Sequence, residues 1–204
     1  MVREATPADH GACLGVIRRA FRTVADDLGI GGPAVEGRLA SALTSDAERD
    51  IANAPRFPAD WAEQRFAAAI AGDGTLLVAH RAGRLVGCVF VGRVPADAAH
   101  WVLKRLAVLP DARHLGIGRA LVGAATERAR RAGATRLTLR IIAENEVLGR
   151  WYTGLEFCRR SELQHPGWSF TVHEYELRLV HAPVAARPVD PEAVAGSCEV
   201  GERE

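Results

Sequence analysis

The sequence has no long apolar run, no excess of either charge and no paired cysteines, and each absence removes a class of protein. No stretch approaches the roughly 18 apolar residues that a membrane-spanning helix needs, and residues 1–20 mix acids and bases where a secretion signal carries an apolar centre. A cytoplasmic protein without a membrane partner is expected. Lys+Arg number 26 against 25 Asp+Glu, a formal net charge of +1, which leaves no basic face for duplex nucleic acid. Cys13, Cys88, Cys158 and Cys198 lie far apart, with no CxxC pair and no histidines at zinc-finger spacing. Neither a disulfide framework nor a metal site is expected, and the thiols read as reduced. Lysine is almost missing: Lys104 stands alone among arginines.

What is present fits an ordinary globular domain. The chain has 204 residues, 48% hydrophobic and 25% charged, enough for one continuous core but not for two full domains. Met1 to Thr6 reads as a short strand, and Thr6-Pro7-Ala8-Asp9 as a helix start. Ala12, Val16, Ile17, Ala20 and Phe21 then recur at helical spacing to about residue 25. Glycines and prolines break the stretch 27–58, and Ala59 to Ala71 reads as a second helix. Thr75–His80 and Leu85–Val91, joined across Arg81-Ala82-Gly83-Arg84, read as an antiparallel hairpin. His100 to Leu109 is a third apolar run, stopped at Pro110.

The clearest helix runs from about Gly118 to Ala132, with Ile117, Ala120, Leu121, Ala124, Ala125, Ala129 and Ala132 as its apolar stripe and Gly133 as its cap. Leu137 to Ala143 is another strand, and strand, helix, strand across 101–143 is a crossover that favours parallel pairing. Glu146 to Leu155 is a short helix, followed by strands at Phe157–Arg160 and Phe170–Val180. That last strand, taken as an apolar edge, suggests pairing across a homodimer. From Ala182 the chain holds two arginines against five acids and no apolar periodicity, which reads as a mobile tail, leaving 1–181 as the domain.

The informative segment is Leu106-Ala107-Val108-Leu109-Pro110-Asp111-Ala112-Arg113-His114-Leu115-Gly116-Ile117-Gly118-Arg119-Ala120-Leu121. A strand passes through a loop with two glycines into a helix N-terminus, where unpaired N–H groups and the positive dipole end favour an anion. Gly116 and Gly118 lack a Cβ that would keep an oxygen away, and Arg113, His114 and Arg119 add donors. It is not a Walker loop, because Arg119-Ala120 follow Gly118 in place of Lys-Ser/Thr. It is not the dinucleotide fingerprint either, because Leu121 stands where the third glycine belongs.

Arg-x-x-Gly-x-Gly directly after an apolar strand ending Ala-Val-Leu-Pro resembles the acyl-CoA loop of the GNAT superfamily of N-acyltransferases. Downstream, Ala143-Glu144-Asn145 and Val147 to Phe157 resemble that family's Asn…aromatic-Tyr-x-x-x-Gly-Phe segment, with Glu156 where the family has Gly and Gly154 two residues earlier to take over the turn. The resemblance covers about 75–180. It implies an α/β fold: a mixed, mostly antiparallel central sheet of about six to seven strands with a parallel splayed pair, flanked by about four helices.

It also implies acetyl-CoA as co-substrate. Its pantetheine arm is expected along the backbone of Leu106, Ala107 and Val108. Its pyrophosphate is expected on the amides from His114 through Leu115, Gly116, Ile117 and Gly118 to Arg119, with Arg113 and Ala120 beside them. Asn145 and Trp151 are expected along the cofactor arm. The implied reaction is attack of a primary amine, on a small molecule or a peptide, on the thioester. An amine of pKa near ~10.4 must first lose a proton, and the leaving thiolate must gain one, which a tyrosine still protonated at pH 7 can supply. Tyr152 stands at the family's position for that acid. Glu144 is the candidate base, with His100, His165, His173 and a chain of waters as alternatives.

Acceptor choice is expected to lie with about 22–58 and Ser161–Ser169, where Trp168 either walls a pocket or anchors the loop. Neither stretch is rich in acids, so a strongly cationic acceptor such as a polyamine is not expected. A non-catalytic acetyl-CoA sensor of the same fold, a hydroxyl acceptor or longer acyl donor, and an unrelated nucleotide-phosphate binder are the alternative readings.

Overall fold

A computed structural model describes residues 1–28, 74–164 and 171–179. Their order is β1 (Val2–Glu4), a 3-10 turn (Pro7–Asp9), α1 (His10–Asp27), β2 (Gly74–Arg81), β3 (Arg84–Val94), β4 (Asp97–Val108), a second 3-10 turn (Pro110–Ala112), α2 (Ile117–Arg131), β5 (Arg136–Ile142), α3 (Glu146–Thr153), β6 (Cys158–Leu163) and β7 (Val172–Arg178). The seven strands form one sheet in the order β1-β2-β3-β4-β5-β7-β6, antiparallel except for β4 beside β5. The helix expected at 59–71, most of 27–58, His165 to Phe170 and the tail 182–204 lie outside the described residues. No described helix is long and apolar enough to cross a membrane.

The strands alternate sides, and that alternation builds two cores. Val89, Val91, Trp101, Leu103, Leu137, Leu139 and Ile141 meet Leu121, Val122, Ala125 and Ala129 of α2 and Tyr152 of α3 on one face. Leu76, Val78, Val86, Cys88 and Ala107 meet Cys13, Val16, Ile17 and Ala20 of α1 on the other. The stripe of α1 is shifted from the sequence reading: Cys13 is fully buried and Ala12 faces solvent. In α2, Val122 is buried and Ala120 and Ala132 are exposed. Alanine carries too little apolar surface to decide which way a helix turns.

Local chemistry sets the joints. β2 and β3 join through Ala82 and Gly83 at φ 48° and 75°, the left-handed pair that a two-residue hairpin turn needs. Asp9 fixes the entry to α1: its carboxylate takes both Arg3 guanidinium nitrogens at 2.8 and 2.9 Å, the Thr6 N–H at 2.7 Å and the Thr6 hydroxyl at 2.8 Å. The Arg3 guanidinium first, then the Thr6 donors, hold that carboxyl well below the usual carboxylate range.

Two expectations are corrected. β7, the last strand, is not an edge: it lies between β5 and β6, paired on both sides, and the exposed β6 takes the edge. The argument for a dimer through residues 170–180 therefore falls. Gly154 does not take over the turn after α3: it stays helical at φ −67°, and Glu156 itself adopts φ 69°. The amide of Phe157 donates to the Tyr152 carbonyl at 3.1 Å and that of Glu156 to Thr153 at 3.0 Å, so the helix closes on a left-handed residue at position 156.

Candidate active site

β4 and β5 pair at His100↔Arg136, Trp101↔Leu137 and Val102↔Thr138, and then part. Beyond Val102 the β4 backbone faces a cavity of about 910 Å³. On its other side β4 is bulged: Cys88 pairs with Ala107 and Phe90 with Lys104, so Val89 opposes both Arg105 and Leu106. Arg105 takes φ 55°, an unusual conformation for a residue with a Cβ. The parted strands leave N–H and C=O groups of β4 without sheet partners toward β5, which is what an extended amide-bearing ligand requires.

At the far end of β4 the chain turns into α2. Gly116 is the N-cap at φ 76°, no side chain caps the helix, and the first helical bond is the Ala120 amide to the Gly116 carbonyl at 3.0 Å. The N–H groups of Ile117, Gly118 and Arg119 thus precede the hydrogen-bonded turns, beside the cavity their residues line. A Cβ at Gly116 meets nothing within 4 Å, and one at Gly118 comes 3.4 Å from the Trp151 ring, so Gly118 sets the gap between α2 and α3. The Arg113 guanidinium donates to the carbonyls of Val108 at 3.4 Å and Ala20 at 3.3 Å, tying α1 to the end of β4.

Across the gap lies α3. Asn145 caps it, its Oδ1 accepting the Leu148 amide at 3.0 Å. Tyr152 is 3% exposed, edge-on to Trp151 at 4.8 Å and to Phe157 at 5.6 Å between ring centres. Burial pushes its phenol above the usual range, with no neighbouring charge contributing.

Of the residues singled out from sequence, Leu106, Ala107, Val108, Arg113, His114, Gly116, Ile117, Gly118, Arg119, Glu144, Asn145, Trp151 and Tyr152 all line this cavity. Leu115 and Ala120 are not among its lining residues and are exposed. Glu144 is exposed and accepts the Thr171 amide at 3.3 Å. His100 sits on the paired stretch below the cavity, its Nε2 2.7 Å from the Thr138 hydroxyl, and burial lowers its pKa. His173 lines a separate cavity beside α3, 3.0 Å from Glu162 and 3.2 Å from Arg159. His165 lies outside the described residues.

Sequence reasoning missed Lys104, Arg105, Arg140 and Asp27, which also line the large cavity. The signal for the first two is a basic pair interrupting an apolar strand, Trp101–Leu103 on one side and Leu106–Val108 on the other.

Residues 41–157 match the family described as Acetyltransferase (GNAT) family. Compared with curated proteins, the sequence matches none. Among solved structures, an N-acetyltransferase from Staphylococcus aureus Mu50 is similar at 19% identity and a TM-score of 0.63, covering 87% of this chain and 97% of that one. The ribosomal-protein-S18-alanine N-acetyltransferase from Escherichia coli shares 17% identity over 92% of this chain and 98% of its own, with a TM-score of 0.62. PaiA N-acetyltransferase from Thermoplasma acidophilum, solved with coenzyme A, shares 18% over 85% and 96%, with a TM-score of 0.60. At these identities the likeness is one of fold.

Proposed function

The chain belongs to the GNAT acetyltransferase family, whose members take acetyl-CoA as co-substrate, and we propose that it transfers the acetyl group to a primary amine by direct attack, with Tyr152 as general acid. In this reading residues 1–181 make the transferase domain. The donor's fit rests on two features described above: the unpaired β4 backbone beyond Val102 and the uncapped start of α2.

Bound acetyl-CoA supplies a thioester, whose carbonyl carbon accepts the amine nitrogen as its C–S bond breaks. Leu106, Ala107 and Val108 hold the amide-bearing arm by backbone hydrogen bonds in the place of a missing strand. The amides from His114 to Arg119 hold phosphate oxygens at the positive end of α2, and the His114 and Arg119 side chains add donors. Arg113 positions this loop through its bonds to Val108 and Ala20. Trp151 walls the gap, and Asn145 fixes the first turn of α3 and with it the direction of Tyr152.

Glu144, exposed at the cavity rim, takes the amine's proton through water. Tyr152 keeps its own proton because its site is apolar, and it delivers that proton to the departing sulfur. The carrying observation is this buried, protonated phenol on the wall of the same cavity as the uncapped helix start.

The test is calorimetric titration of acetyl-CoA into the wild type and Gly118→Trp, whose Cβ alone reaches van der Waals contact with the Trp151 ring at 3.4 Å and whose indole adds bulk at the cradle. Micromolar binding by the wild type and its loss in the variant support the reading. Absence of binding by the wild type refutes it.

A further inference from the structure

α3 is short, and of its eight residues only Gly149 and Tyr152 are buried. They stand three apart and so share the inner face of the helix. The aim of the Tyr152 phenol therefore depends on how α3 is seated at Gly149.

Glycine is disfavoured inside a helix, and Gly149 does not have the positive φ that would call for one. What calls for it is a close approach. A Cβ at this position would stand 2.8 Å from the Tyr175 hydroxyl oxygen, 3.6 Å from Ile141 Cδ1 and 3.8 Å from Tyr175 Cζ, and only the first is a clash. The oxygen cannot turn aside, because it lies on the axis of its ring, and that ring is 7% exposed within the core under α2 and α3. The same ring lies 6.5 Å from the Tyr152 ring between centres, tilted against it. Tyr175 thus meets α3 at the glycine and the phenol one turn later. Its strand pairs it with Leu139 of β5, and Leu139 and Ile141 both line the large cavity. The seat is therefore built on the strand that forms one arm of the fork. The Thr153 hydroxyl closes the turn that carries Tyr152, donating to the Gly149 carbonyl at 3.1 Å.

From this contact we infer that Gly149 and Tyr175 are positioning residues for the reaction: the missing side chain lets α3 settle on the Tyr175 hydroxyl, and that seat fixes the reach of the Tyr152 phenol toward the departing sulfur. The inference rests on the reading of Tyr152 as general acid and names what aims it. Neither Gly149 nor Tyr175 lines the large cavity, so their effect falls on the rate and not on the donor's binding surfaces. Proton transfer needs its heavy atoms about 2.6–3.2 Å apart, and a shift of about half an ångström in α3 is enough to weaken it.

The test follows free thiol released from acetyl-CoA, with methylamine as probe amine and water alone as control acceptor, at a temperature well below the Tm of every variant. Gly149→Ala should lower kcat about tenfold or more while the calorimetric Kd for acetyl-CoA stays within about threefold. Tyr175→Phe removes the oxygen that the new Cβ meets and keeps the ring, so the double variant should return to within about threefold of the wild-type kcat. In a Tyr152→Phe background the same glycine change should alter kcat by less than about twofold, because its effect passes through that phenol. A merely structural contact would move Tm and leave kcat alone. Gly149→Ala with kcat within about twofold of wild type, or a loss that Tyr175→Phe does not recover, overturns the inference. If Gly149→Ala does not fold, Tyr175→Leu decides: it withdraws the seat without crowding the helix, and an unchanged kcat overturns the inference equally. The failures are distinguishable. Tyr152→Phe with undiminished kcat removes the general acid and the inference with it, whereas a rate lost in Tyr152→Phe and kept in Gly149→Ala removes the inference alone. A wild type that releases no thiol from acetyl-CoA removes both.

Discussion

Glu156→Gly should make the protein more stable, and the chain contains its own control. Two of its helices end on the same pair of backbone bonds. After α2, the Ala134 amide donates to Ala129 at 3.0 Å and the Gly133 amide to Arg130 at 3.0 Å, with Gly133 at φ 83°. After α3, the Phe157 and Glu156 amides repeat that arrangement on Tyr152 and Thr153, but the left-handed position holds a glutamate. A left-handed residue with a Cβ costs about 1–2 kcal/mol. Glycine removes that strain and loses about 0.5–1 kcal/mol more backbone entropy on folding. The difference is a gain of about 0.5–1 kcal/mol, or a rise in Tm of roughly 1–4 °C for a chain of this length. Differential scanning calorimetry reads it directly. Gly133→Ala should shift Tm the other way by a similar amount. Turnover by Glu156→Gly should stay within about twofold, because Phe157 and Tyr152 keep their backbone bond. A fall in Tm would mean that the Glu156 side chain supplies more than its backbone strain removes, and the reasoning would fail.

Three other substitutions probe the site and its supports. Tyr152→Phe should lower kcat by about 100-fold or more while leaving acetyl-CoA affinity nearly unchanged in calorimetry; a kcat within threefold of wild type would remove Tyr152 from the chemistry. Because burial raises its pKa, Tyr152 stays protonated beyond its ordinary value of about 10, so the wild-type rate should show no fall from loss of the Tyr152 proton below about pH 10. Gly87→Ala places a Cβ 3.0 Å from Leu121 Cδ1 and 3.1 Å from the Ala107 carbonyl, so denaturant melts should show a loss of about 1–3 kcal/mol, with weaker acetyl-CoA binding as β4 shifts. Normal stability would show that α2 can retreat freely. Asp9→Asn should cost about 2 kcal/mol at pH 7. The folded pKa of Asp9 is depressed, so its contribution is complete above the unfolded pKa near about 3.9 and fades below it, and the gap between wild type and variant in urea melts should narrow under about pH 4. A gap that widens in acid would reverse the sign of that linkage.

The loop from Leu106 to Leu121 was legible as strand, loop and helix because its constraints are local: an apolar strand, a proline that stops it, two glycines, and a helix start without a capping side chain. Tyr152 and Asn145 are singled out only through the resemblance of the segment 143–157 to a family pattern, and the structure places both on the wall of the same cavity. What escaped depends on partners distant in sequence. The bulge at Arg105 exists only relative to Val89, and β4 read alone is an apolar strand with a basic pair in it. The place of β7 inside the sheet depends on the order of strands in space, which chain order does not carry. The turn after α3 was misjudged for a different reason. The nearby Gly154 has the freedom to be left-handed, but the bond from the Phe157 amide to Tyr152 puts the reversal at residue 156.

The short seam between β4 and β5 has a mechanical consequence. Its three residue pairs, with the Thr135 amide on Ala99, join two antiparallel units: β1–β4, on which α1 and α2 pack, and β5-β7-β6 with α3. Such a joint should let the second unit open to hydrogen exchange at lower free energy than the first. A donor lying in the fork touches both units and acts as a cross-brace, so saturating acetyl-CoA should slow exchange in β5 and β7 most. At about 100 times Kd that brace adds about 2.7 kcal/mol, and the transferase should be most cooperative as a folded body when it is loaded to react.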